Sequence, residues 1–130
     1  MPTSRTLKTG LVQLAITPDV EHNKALLAEA VDRAAAQGAR LVVLQELHNT
    51  PYFCQTENVD NFNLAEPIPG PSTAFYGEVA RRNKVVLVTS LFERRAPTAW
   101  RGQVPQAVLY GMRRRQPNIY PTTPCYQISS

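Results

Sequence analysis

The chain has 130 residues, 43% hydrophobic and 18% charged, which suits one globular domain with a usable core. No apolar run approaches about 18 residues, so no membrane span is expected. Cys54 and Cys125 are the only cysteines and His22 and His48 the only histidines, too few for a disulfide framework or a metal cluster. The net charge of +4 is unevenly placed. Residues 1–96 hold ten Lys+Arg and all ten Asp+Glu, whereas residues 97–130 hold four arginines and no acid.

The opening "MPTSRTLKTG" lacks the apolar centre of a secretory signal, and a cytoplasmic location is expected. "TLKTGLVQLAI", residues 6–16, reads as a first strand dense enough in apolar residues to be buried. Pro18 and Asp19 then form a helix-start signal. From Val20 to Gln37, Leu26, Leu27, Ala30, Val31, Ala34 and Ala35 recur at helical spacing. Gly38 stands where a helix end wants a left-handed residue. "ARLVVLQE" follows as a second strand, its continuous apolar run suggesting cover on both faces.

Residues 47–71 make a long connection containing Pro51, Pro67, Pro69, Gly70 and Pro71, and a loop of that length is commonly functional or disordered. Ser72 is a candidate N-cap for a helix over roughly 73–83, which leads into "KVVLVTSLFER" as a third strand. Strand–helix–strand–loop–helix–strand order implies an α/β fold with parallel strands and helical crossovers. After residue 96 acids and lysines vanish, five prolines appear and periodicity fades, so residues 97–130 read as a divergent, poorly folded tail.

Glu46 ends the second strand. In open α/β sheets the C-terminal strand edge is where ligands bind and catalytic groups gather. A carboxylate held there beside apolar residues has its charged form disfavoured, which favours base chemistry. The alternative is a strand-end acid that is merely solvated or ion-paired.

The stretch "LVVLQELHNTPYFCQ" resembles the nitrilase superfamily of carbon–nitrogen hydrolases, in particular its N-carbamoylputrescine amidohydrolase branch. The resemblance includes "VQLAITPDVEHNKALLAEAVDRAAAQGARLVVLQEL", with Asn23 in the first helix, and continues through "AEPIPGPSTAFYGEVARRNKVVLVTSLFER". It covers about residues 7–95 in order. It implies the N-terminal half of a nitrilase-type α-β-β-α sandwich, and a full-length family that homo-oligomerises. It also implies a Glu-Lys-Cys triad acting without cofactor on a linear amide or N-carbamoyl amine, with a place in polyamine metabolism. A cysteine thiolate attacks, a glutamate moves protons and a lysine donates to the oxyanion. Glu46 matches the glutamate.

The other two groups have no match. Lys8, Lys24 and Lys84 come too early, and Arg113, Arg114 and Arg115 differ from lysine in fork geometry. Cys125 in "TPCYQ" comes too soon and lacks the neighbouring acid. Cys54 matches a family cysteine that is not the nucleophile. Its other reading is a small buried hydrophobe. His48, Tyr52, Phe53 and Cys54 are candidates for lining the substrate pocket. Tyr52 and Phe53 could equally cover the sheet edge.

Two readings of the tail compete: a real variant end, or out-of-frame translation after an insertion or deletion. "NIYPTTP" can be back-translated so that a shifted frame reads His-Leu/Ile-Pro-Asp-Asp-Pro, close to a family segment. The expectation is a hydrolase fragment, truncated and inactive alone. The alternatives are a non-catalytic remnant or interaction protein and, more weakly, a basic nucleic-acid binder. The arginines lie in an unpatterned tail, so no specific nucleic acid is expected.

Overall fold

A computed structural model describes residues 5–53, 59–94, 103–110 and 118–121. Strand β1 (Thr9–Val12) leads to helix α1 (Val20–Ala36), β2 (Leu41–Leu44), a 3-10 turn (Val59–Leu64), helix α2 (Pro71–Asn83) and β3 (Val86–Arg94). Two further strands follow, β4 (Gln103–Tyr110) and β5 (Asn118–Pro121). The five strands form one sheet in chain order. β1, β2 and β3 are parallel, with Val12 opposite Leu44 and Val43 opposite Val88, and β3–β4 and β4–β5 are antiparallel.

The local signals act as expected at α1. The Asp19 side chain accepts from His22 N at 3.0 Å, filling one of the donor positions a helix start leaves open. The helix ends at Gln37, and Gly38 takes φ +94°, a conformation that side-chain-bearing residues resist. α2 differs from expectation. Its N-cap is Gly70, Pro71 opens the helix, and Ser72 sits inside the first turn. Glycine is required at residue 70, because a Cβ there would lie 2.2 Å from the Pro67 carbonyl oxygen.

Both helices pack on one sheet face. Leu27 and Val31 of α1, and Tyr76 and Val79 of α2, meet Val42 and Leu87 in the core. Each such fully buried side chain contributes about 1.5–3 kcal/mol relative to exposure. At their outer ends the helices are joined by Arg82 on Asp32 at 2.8 Å and by Asn83 Nδ2 donating to Asp32 Oδ1 at 2.6 Å.

Four expectations need correction. β1 and β2 are shorter than their apolar runs, so Glu46 lies two residues beyond its strand. The second sheet face is not covered among the described residues: Leu11 is 82% exposed, and Leu41 and Val43 are only half-buried. An apolar run reads the same whether one face or both are covered. The long connection carries a 3-10 turn and a bridge from Glu66 to Glu93. The tail supplies β4 and β5 rather than lacking regular structure. Proline in β4 is tolerated because Pro105 lies beyond the register that β5 reaches, Gln106 to Leu109, and so faces only one partner strand.

Candidate active site

The C-terminal ends of the parallel strands are joined by side chains from the loops that leave them. Gln45 Oε1 accepts from Leu14 N at 2.6 Å, tying the exit of β2 to that of β1. The chain then turns at Glu46–Asn49. Leu47 takes φ +47°, in the sparsely populated left-handed region, which costs on the order of 1–2 kcal/mol for a residue with a side chain. Its amide donates to Ser90 Oγ on β3 at 2.7 Å. This reversal leaves Glu46 exposed and sends Leu47 and His48 into the interior.

His48 is fully buried among polar partners. Its Nε2 meets Thr89 Oγ1 of β3, and its Nδ1 lies 3.3 Å from the Tyr76 hydroxyl of α2. The two rings meet edge-on, centroids 4.9 Å apart. Burial lowers the His48 pKa to about 4, with a hydrogen bond to Asn49 opposing the shift. Burial pushes the Tyr76 phenol well above its ordinary range, with Glu66 and Glu21 adding to the shift. Both rings are therefore neutral near pH 7.

The polar chain continues outward. Tyr76 donates to Asn49 Oδ1 at 2.6 Å, Asn49 Nδ2 donates to Ser72 Oγ at 2.7 Å, and Ser72 Oγ donates to Glu66 Oε2 at 2.9 Å. Glu66 Oε1 also accepts the Ser72 amide at 3.0 Å, placing a carboxylate at the start of α2. On the other side, Asn23 Nδ2 donates to the Asn49 carbonyl at 2.9 Å. Every buried polar group named here thus has a partner.

The sequence candidates separate in space. Glu46 is exposed, so the apolar surroundings expected around its carboxylate are not provided by the described residues. His48 is fully buried, packed beneath the turn. Phe53 lines a small recess, open to solvent, with Leu47, Asn49, Glu66, Leu91 and Phe92, and its ring stands 5.0 Å from that of Phe92. Tyr52 is 46% exposed. Cys54, Cys125 and Arg113–Arg115 lie outside the described residues.

Lys8 immediately precedes β1 and Lys84 lies two residues before β3, at the sheet edge opposite Glu46, and Lys24 is paired with Glu21 at 3.4 Å. Lys8 and Lys84 are thus not placed to serve Glu46. Among the described residues no group of three His, Cys, Asp or Glu could hold a metal ion, and no helix is long and apolar enough to cross a membrane.

Tyr76, Asn49, Glu66 and Thr89 carry no site reading in the sequence, and Ser72 carries only that of a helix cap. A usable signal existed. Thr89 alternates with Leu87 and Leu91 on the inward face of β3, and Tyr76 shares a helical face with Val79 and Ala80. Polar groups at core positions mark a satisfied network.

The carbon-nitrogen hydrolase family model matches residues 8–110. The chain belongs to the carbon–nitrogen hydrolase family, the nitrilase superfamily. The match passes the boundary drawn at residue 96 and includes β4. The chain is 34% identical over 91 residues to N-carbamoylputrescine amidase of Solanum lycopersicum, covering 69% of this chain and 30% of that protein. It is 34% identical over 89 residues to a citrullinase of Francisella tularensis, covering 68% and 31%. A carbon–nitrogen hydrolase structure from Helicobacter pylori G27 superposes with a TM-score of 0.76 at 31% identity, over 88% of this chain and 39% of that one. This hydrolase-family chain thus spans about a third of the length of its curated relatives, and its fold is an α/β N-terminal portion of the nitrilase fold.

Proposed function

We propose that the chain carries the glutamate-bearing part of an amidohydrolase acting on a linear amide or N-carbamoyl amine, with Glu46 as the general base. One observation carries this reading. Glu46 projects from a turn whose next three residues are pinned to β3, α1 and α2. A base must be held within a fraction of an ångström of its target, and such support provides that.

In this reading Glu46 takes the proton of a cysteine thiol as sulfur attacks the carbonyl carbon, and returns it to the departing amine. It then activates the water that hydrolyses the acyl- or carbamoyl-enzyme. A lysine donates to the oxyanion. Lysine and cysteine come from sequence beyond this chain, so the chain alone is expected to be inactive. The names of its relatives, N-carbamoylputrescine amidase, citrullinase and omega-amidase, support a substrate of this type. The complete protein is proposed to be a cytoplasmic homo-oligomer. Within this chain the proposed division is a hydrolase part over 1–96 and a divergent tail over 97–130, of which residues 97–110 still fall within the family match.

A second reading, a non-catalytic remnant, is favoured by the exposure of Glu46. Resequencing the locus separates the two. An uninterrupted frame encoding Tyr-Arg-Lys and Cys-Trp/Tyr-Asp downstream supports the enzyme, and its absence supports the remnant. The direct test is ammonia release from N-carbamoylputrescine by this chain and by the chain extended with such a segment. Only the extended chain is expected to turn over.

A further inference from the structure

The polar chain beneath the Glu46 turn has a direction. A carboxylate only accepts hydrogen bonds, so Ser72 Oγ must donate to Glu66 Oε2, as it does at 2.9 Å. With its proton so committed, Ser72 Oγ accepts from its other neighbour, which must be the amide nitrogen of Asn49, at 2.7 Å. The Asn49 oxygen then faces Tyr76 and accepts its hydroxyl proton at 2.6 Å. The phenol oxygen, its proton used, can only accept from His48, so Nδ1 carries hydrogen at 3.3 Å. The neutral imidazole has one N–H, so Nε2 accepts from Thr89 Oγ1. Four intervening groups thus transmit one choice, made at Glu66, to Thr89 on β3.

We infer that the Glu66 carboxylate fixes this proton order and makes His48 a positioning residue for the turn that presents Glu46. The chain spans the turn, α2 and β3, and each member between its ends both donates and accepts one hydrogen bond within it. His48 and Asn49 are the second and third residues after Glu46, so whatever orients them sets the backbone from which Glu46 projects. The positioning role rests on the proposal that Glu46 is the base, whereas the proton order does not.

Substituting Glu66→Gln should reverse the order. The glutamine oxygen must face the Ser72 amide, so its nitrogen donates to Ser72 Oγ. Ser72 then donates to a flipped Asn49 amide, Asn49 donates to Tyr76, Tyr76 donates to His48 Nδ1, and Nε2–H donates to Thr89. The tautomer of a histidine several hydrogen bonds away therefore inverts.

The test uses the 130-residue chain with ring-15N-labelled histidine at pH 7. Only His22 and His48 contribute signals, and His22 is exposed on α1. The Nδ1–H tautomer is expected at His48 in the wild type and the Nε2–H tautomer in Glu66→Gln. Tyr76→Phe, which cuts the chain, should speed amide exchange at Leu47 by about tenfold more than at Val31 and Leu87, whose exchange follows the global loss of stability. A wild-type Nε2–H tautomer or imidazolium overturns the inference, and so does an unchanged tautomer in folded Glu66→Gln. Leu47 exchange that rises no more than that of Val31 and Leu87 in Tyr76→Phe removes the positioning role. If these results hold but Glu46→Gln leaves the extended enzyme's turnover intact, the base assignment fails and the proton order stands.

Discussion

Asn23 Nδ2 donates to the backbone carbonyl of Asn49 at 2.9 Å, joining the first turns of α1 to the loop that carries Glu46. The same amide nitrogen donates to the Thr17 carbonyl at 2.6 Å, and its oxygen accepts from Thr17 N at 2.9 Å and Thr17 Oγ1 at 3.0 Å. Asn23 is fully buried, so Asn23→Ala leaves backbone donors and acceptors without water or protein partners. Each such group costs about 1–3 kcal/mol, and a loss of about 3 kcal/mol in urea unfolding is expected. A loss below about 1 kcal/mol would show that the loop relaxes to water without this anchor.

His48 ties stability to pH. Its folded pKa is lowered to about 4 from an ordinary 6.5, so between those values the unfolded chain binds more protons than the folded one. Stability is then full above pH 6.5 and falls as pH drops toward 4. The penalty amounts to about 3 kcal/mol at 1.36 kcal/mol per pH unit. Unfolding free energies of wild type and His48→Gln across pH 4–7 measure it. The wild type should lose stability on acidification by up to one proton's slope more than the variant, and parallel curves would show that His48 is not buried neutral.

Tyr76→Phe removes one oxygen and keeps the ring that fills the core. Asn49 Oδ1 loses its donor and His48 Nδ1 its acceptor. The expected cost is about 1–3 kcal/mol, with the m-value unchanged because the surface exposed on unfolding is the same. Its equal in stability to wild type would mean that these groups find other partners.

What was legible in the sequence was what depends on near neighbours. Asp19 caps α1 and Gly38 ends it, because each acts within one turn of itself. The parallel direction of β1, β2 and β3 followed from alternating strand and helix patterns. Of the candidate site the sequence offered only a position, Glu46 at the end of the second strand, and the structure puts it two residues beyond β2. Its support was not legible, because His48 and Thr89 are 41 residues apart and Asn49 and Ser72 are 23 apart. Ser72 read as a cap by type, whereas the backbone clash that demands glycine at residue 70 moved the helix start. Proline content hid β4, since only the register reveals that Pro105 has no second strand to serve.

The open sheet face should govern solution behaviour. Leu11 pairs in register with Val43 and Val43 with Val88, a row turned away from the helices, with Leu41 and Val86 beside it. Leu11 is 82% and Val86 38% exposed, and no helix packs there among the described residues. Burial of such a patch drives association. Sedimentation of this chain should show a mass rising with concentration, and Leu11→Lys should reduce it. A compact monomer over the whole concentration range, unfolding in two states, would sink this expectation.

Glu46→Gln separates shape from chemistry. The carboxylate is exposed, so its loss should change stability by no more than about 0.5 kcal/mol, the usual range for surface substitutions. In the chain extended with the lysine and cysteine segment, the same change removes the only group assigned to move protons. Positioned bases contribute about 10²–10⁴ in rate, so kcat should fall by at least that range's lower end with KM little changed. In the 130-residue chain neither form is expected to release ammonia above background, since neither Cys54 nor Cys125 stands in the sequence context of the family's nucleophile. Ammonia release by the short chain that disappears in Cys125→Ala would overturn the exclusion of Cys125. A Glu46→Gln enzyme as fast as the unsubstituted extended chain would mean that proton transfer is handled elsewhere, and that the turn holding Glu46 serves the fold alone.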